Sequence, residues 1–483
     1  MIDMNVMINK FVWPWIIVWL SAAISTLILT HPAAAHKAEQ GLVLLLPTDV
    51  YISAGVATFI LTVIVVALLP VNVTQVLFRP ITVFAMPGWP NLTRASSACA
   101  TLVLFFLIYV GLNGPNDPQA NLLSLTIWSG WWIGLVALHG FFGNLWRWIN
   151  PWSGLYAVLD GVLQSPARPK LPKALGAWPA IILFLMFSLF AIGDPAPADP
   201  GRLTLIVFCY WLFTLAGMLM FGERAWARHV ECFTLFFGLI AKLAPFQINS
   251  RIRIGMPGWA LLSGFKPSIS IAIFCLVILG SGSFDGLNET FWWLARIGVN
   301  PLEFPGRSAI ILETTAGYLL ANLLLGAVFA LCVYLGTRLA NQGRQAGHSV
   351  PFQSAFCRQA LALLPIGFGF HLAHFLPTFL VSAQYNFAAM IDPLGTGADY
   401  FSLGKINIYV GFLSVSNFVR WIWLTQATII VLSHVFAILI AHKTSRRLFR
   451  DRWKAMLAEL PLTAFMIAYT IFGLWLLAAP RGT

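Results

Sequence analysis

Apolar residues fall along this chain in long blocks separated by short polar stretches. Ten blocks, at about 50–71, 97–113, 121–145, 176–193, 203–221, 269–287, 309–336, 359–382, 421–441 and 461–479, have a membrane-crossing length. Crossing ~30 Å of hydrocarbon takes about 20 helical residues. The pattern therefore predicts an all-α polytopic membrane protein with about ten transmembrane helices. A shorter block at 230–245 carries Glu231 and Lys242 and reads as an interfacial or re-entrant helix.

Ahead of these blocks, residues 1–35 hold Lys10, an apolar run from Phe11 to Leu29, and Ala33-Ala34-Ala35. That order is the pattern of a cleavable signal peptide, with an uncleaved first helix as the other reading. Cleavage after Ala35 leaves residues 36–483 as one multi-spanning domain with both termini on the outer face. His36 would then be a free amino-terminal histidine, able to chelate a metal through its amine and ring.

Composition closes off other classes. The 483 residues are 59% hydrophobic and 10% charged, against about 25% charged in soluble chains. This excludes a soluble enzyme, a nucleic-acid reader and a disordered scaffold. The net charge of +12 follows topology. With the mature N-terminus outside, most cations fall on the cytoplasmic side, including the block Lys443–Lys454, as the positive-inside rule requires. That block suits anionic lipid, and the basic balance implies no nucleic-acid partner. The reading is a multi-pass protein of the bacterial cytoplasmic (inner) membrane. Six single cysteines without CxxC spacing read as packing residues. The tryptophan runs Trp128–Trp132, Trp146–Trp152 and Trp421–Trp423 fall at span ends and read as interfacial belts.

Ionisable groups inside spans cost roughly 2.5–3.5 kcal/mol each on the insertion scale, so each asks for a reason. In PIGFGFHLAHFLPTF, His371 and His374 are three apart and share a helix face. They can hold one metal, move protons, or hydrogen-bond to neighbouring helices. At 1.5 Å per residue they stand about 18–22 Å along their span, in its outer half. Glu313 lies ~6 Å below the outer boundary by the same rise. Asp285 ends another span before Gly286, where a cap or turn is the simpler role. His434 is near mid-membrane, while His139 and His442 belong to the inner boundary.

These positions predict one outward-opening pocket. Asp285 and Glu313 are its candidate catalytic carboxylates, and His371, His374 and His434 its candidate metal ligands. Zinc, cobalt or manganese suits such a set and lowers the pKa of bound water toward ~7. The plainer alternative is that each group is satisfied separately. No GxxxxGK[ST], HExxH, GxSxG or GxGxxG motif occurs.

Several runs taken together carry a family resemblance: NLWRWINPW, MFGERAWARHVECFTLFFGLIAKLAP, GSGSFDGLNETFWW, the PIGFGFHLAHFL span and LTQATIIVLSHVFAILIAH. From about residue 97 to 442 the chain resembles the membrane subunit of the fenitrothion hydrolase family. The resemblance implies cleavage of aryl phosphotriesters (small apolar organophosphates) together with a second, smaller protein subunit. It assigns no catalytic residues. A permease or metal carrier is the alternative function, and a non-catalytic assembly subunit the third.

Overall fold

A computed structural model describes residues 48–481, apart from 69–75, 86–89, 164–167, 249–250, 344–348, 399–401, 403 and 405. The expected signal peptide, its cleavage point and His36 lie outside the described residues. Ten helices among the described residues are long and apolar enough to cross a membrane. They are α1 (Thr48–Leu68), α2 (Pro90–Asn113), α3 (Leu122–Phe142), α4 (Lys173–Gly193) and α5 (Pro200–Phe221). The second half comprises α6 (Ile269–Asn288), α7 (Arg307–Asn341), α8 (Phe352–Ile391), α9 (Ser416–Leu448) and α10 (Arg452–Ala478). Each coincides with one predicted run, because twenty apolar residues in lipid must satisfy their backbone internally.

Local signals set the helix starts. Asp199 accepts from the Arg202 amide and Pro200 opens α5. Ser268 caps α6 through the Ile271 amide, and Asp451 caps α10 through that of Lys454. Such side chains accept amides that a helix start leaves without partners.

The bundle has two distinct ends. One carries a small antiparallel sheet of β1 (Ile81–Ala85), β2 (Phe246–Ile248) and β3 (Arg251–Ile254), in the order β1-β3-β2. There Arg452 of α10 donates to Ala67 O of α1 at 2.8 Å, and Gln359 of α8 to Ser445 of α9 at 2.6 Å. At the opposite end Arg481 meets Glu289 at 3.4 Å and Arg307 donates to Ala191 O at 3.2 Å. Helices α6 and α8 are the most buried of the ten, and α1 and α7 the least.

The segment 230–245, expected to be interfacial or re-entrant, is too short to span and packs inside the bundle rather than lying on its surface. Residues Cys232–Ile240 form a helix whose Phe236, Phe237 and Ile240 are buried in the main core. Its preceding Glu231 is fully buried yet satisfied, accepting from the Phe233 amide at 3.0 Å and from the Tyr210 hydroxyl at 2.6 Å. The tryptophan belts also need correction. Trp146, Trp152 and Trp423 are buried, and Trp131 packs edge-on against Phe233 at 4.6 Å, whereas Trp421 is exposed. Their apolar area is used to fill the core, where aromatic edge-to-face contacts add to burial. All six cysteines are free thiols.

Candidate functional site

Small residues bring α6 and α8 together. The end of α6 reads GSGSFDGLN, and a Cβ on Gly286 would sit 2.8 Å from the Phe370 ring and 3.6 Å from His374 Nδ1. On the other side of α8, a Cβ on Gly369 would collide with Ser433 of α9. The contact thus seats the His371–His374 turn of α8 beside the last turn of α6.

Two backbone carbonyls fix that turn further. Pro377, inside α8, has no amide hydrogen to give the carbonyl four residues back. That carbonyl, Ala373 O, instead accepts from Gln426 Nε2 of α9 at 2.7 Å. In α3, residues Thr126–Leu135 are wound as a π-helix, a geometry frequent at functional sites. Within this stretch Trp132 O lies 2.9 Å from His371 Nε2. A carbonyl only accepts, so His371 donates through Nε2–H and, when neutral, keeps its lone pair on Nδ1.

These contacts frame a cavity of about 250 Å³ between α3, α4, α6 and α8. Its apolar walls include Trp128, Trp132, Phe184, Phe236, Phe368 and Phe375. Its polar lining is Asp285, Glu289, Arg307, His371 and His374, with Ser188 and Ser281 between. Arg307 is exposed, so the cavity reaches the surface at the end away from the sheet.

The central contact is a carboxylate–imidazole pair. His374 Nε2 lies 3.2 Å from Asp285 Oδ2, and the side chains are 5% and 24% exposed. Phe370 stacks on the His374 ring at 5.5 Å and Phe375 packs edge-on at 4.7 Å. His374 Nδ1 is buried without a partner, so the ring can serve the cavity only through Asp285.

One turn beyond Asp285, just past the end of α6, stands Glu289. Burial, and secondarily the negative charge of Asp285, push its carboxyl above the usual range, against the pull of His374, Arg481 and Arg307. Asp285 and Glu289 thus line one cavity, the second in surroundings that favour its protonated form.

Of the sequence candidates, the structure brings Asp285, His371 and His374 to one cavity and leaves two elsewhere. Glu313 is exposed on α7 and does not line the cavity. Its neighbour Thr314 takes the inward position and reaches Asn288 at 3.3 Å. His434 is buried against Phe59 of α1, with Nδ1 2.9 Å from its own Ile430 O, and is no part of the floor. His139 closes the end of α3, bonded to Leu135 O at 2.7 Å and to the Trp146 amide at 2.9 Å. His442 pairs with Glu459 at 3.1 Å near the sheet end. Glu289 and Arg307 were not foreseen. The four-residue spacing of Asp285 and Glu289, which puts both on one helix face, was the available signal.

The residues present do not fit the divalent-metal reading. Among the described residues no three His, Cys, Asp or Glu converge as a ligand set. His371 spends Nε2 on a backbone carbonyl, and Glu313 and His434 lie outside the cavity. No family model, curated protein or solved structure matches the chain significantly.

Proposed function

We propose that this protein is the membrane-embedded subunit of a hydrolase acting on small apolar esters, aryl phosphotriesters above all. It works in the bacterial inner membrane with its cavity toward the outer face, beside a second, smaller subunit. The Asp285–His374 pair at the polar end of an aromatic-walled cavity carries this reading. The resemblance to the fenitrothion hydrolase family supports it.

The chemistry follows from the lining. A neutral triester partitions into the bilayer and is held by Trp128, Trp132 and Phe375. Asp285 takes a proton from water as the oxygen attacks phosphorus. His374, whose Nε2 contacts that carboxylate, is a positioning residue that holds it in place. Arg307 spends one donor on Ala191 O and has others to stabilise charge on the phosphoryl oxygen. As the phosphorus–oxygen bond to the aryloxide breaks, protonated Glu289 supplies a proton to that leaving group.

Release of nitrophenol from an aryl phosphotriester by the purified chain with its neighbour-encoded subunit tests the proposal. Full activity in Asp285→Asn would sink the mechanism. Gradient-coupled flux in proteoliposomes without hydrolysis would instead favour the carrier.

A further inference from the structure

The sheet at the far end of the bundle has two unlike faces. Directly paired residues in an antiparallel ladder project to the same side. Ile81, Ile254 and Phe246 are aligned across the three strands, as are Phe84, Ile252 and Ile248. The other rows are Thr82, Arg253 and Gln247, and Ala85 with Arg251. In a regular strand Ile81 and Phe84, three apart, would face opposite ways. The register shift between Thr82 and Phe84 returns Phe84 to the side of Ile81. Six apolar side chains thus occupy one face.

The polar face is used by the protein itself. Arg253 stacks 5.1 Å from the Trp259 ring centroid, and Gln247 donates to Ala241 O at 2.5 Å. The apolar face stays open: Phe84 is 53% and Ile248 44% exposed, with Ile81 and Phe246 similar.

Two observations identify what covers it. The outward residues of α1, Leu61, Ile64, Val65 and Leu68, are exposed and apolar down to the end from which the chain leads to β1. The sheet thus stands at the bundle end where this apolar helix surface finishes. Arg79, two residues before β1, and Arg251, which opens β3, are exposed, and neither 76–85 nor 246–254 contains an acidic residue. Apolar area rimmed by unopposed cations complements the boundary of an anionic bilayer.

We propose that this sheet is an interfacial platform. Its apolar face lies in the headgroup–acyl boundary, with Arg79 and Arg251 at the level of lipid phosphates. The proposal is independent of the hydrolase reading.

The test uses the full chain with its exposed thiols removed as Cys99→Ser and Cys209→Ser. Nitroxides are attached at Phe84→Cys or Ile248→Cys, in phosphatidylcholine vesicles containing phosphatidylglycerol. Both labels are expected to relax strongly with oxygen and weakly with a water-soluble nickel chelate. The reverse preference overturns the proposal, and shielding from both overturns it in favour of a protein partner or second copy. Adding Arg79→Glu and Arg251→Glu is expected to move the Phe84 label toward water only where phosphatidylglycerol is present. Equal positions with and without the anionic lipid would overturn the role of the arginines. In the unaltered protein, diazirine-bearing phosphatidylcholine is expected to label residues 81–85 and 246–248, and failure to do so counts against the platform without any variant.

Discussion

His374 Nε2 stands 3.2 Å from Asp285 Oδ2, joining the middle of one membrane helix to the last turn of another. Nδ1 of the same imidazole is buried without a partner, so Nε2 is the atom through which the ring acts on the carboxylate. In the proposed hydrolysis Asp285 is the group that meets substrate and His374 the group that holds it. Replacing Asp285 by Asn keeps the shape and removes the proton acceptor. Hydrolysis is expected to fall by roughly 10²–10⁴-fold, the usual contribution of a general base. The loss should appear in kcat with KM nearly unchanged.

His374→Gln is expected to do less harm than Asp285→Asn. The amide can still donate to Asp285, while Ala at the same position cannot. Steady-state kinetics of both variants should rank Gln above Ala. Equal loss in the two would indicate that His374 acts through its ring and not through the carboxylate.

Glu289 gives a pH dependence. Its carboxyl is raised by burial and by Asp285, so the folded state favours the protonated form. The stability this brings is full below the ordinary glutamate pKa of ~4.3 and is lost as pH rises through the raised folded value. Glu289→Gln stays neutral and escapes that loss. Melting of the two proteins in detergent, followed by tryptophan fluorescence, is expected to diverge in favour of the variant as pH rises from acid to mildly alkaline. Parallel curves would refute the shift. Hydrolysis by the parent is expected to decline over the same rising limb, because the protonated acid is consumed.

Gln426 holds the carbonyl that Pro377 leaves without a helical partner. Gln426→Leu would strand that buried acceptor, which costs about 1–3 kcal/mol. A lowered melting temperature is expected, and Pro377→Ala in the same chain should recover part of it by restoring the amide donor. Additive losses in the double variant would speak against a shared carbonyl.

Glu313 provides the contrast. It is exposed and outside the cavity, so Glu313→Gln is expected to leave hydrolysis and stability within about 0.5 kcal/mol of the parent, as surface changes usually do. A loss approaching that of Asp285→Asn would show that the site extends to α7.

The ten helices were legible in the sequence, because in lipid every backbone amide must be satisfied within its own segment, and apolar length alone then marks a span. Placement of the His371–His374 turn and Asp285 toward one end also followed from the 1.5 Å rise per residue. Rise along an axis says nothing about azimuth or neighbours. Glu313 and Thr314 are adjacent in sequence, yet only the threonine turns toward α6. His434 has the depth for the cavity floor but lies against Phe59 of α1. Trp128, Trp132, Trp146, Trp152 and Trp423, assigned to the membrane boundary, serve as core and cavity wall for the same reason, since their ring area is satisfied by lipid and by protein alike. Which side chains share a pocket was decided only by packing, through close approaches such as Gly286 on Phe370 and Gly369 on Ser433. A contact of that kind depends on the absence of a Cβ opposite a bulky neighbour in a distant segment, and one strand of letters does not record that distance.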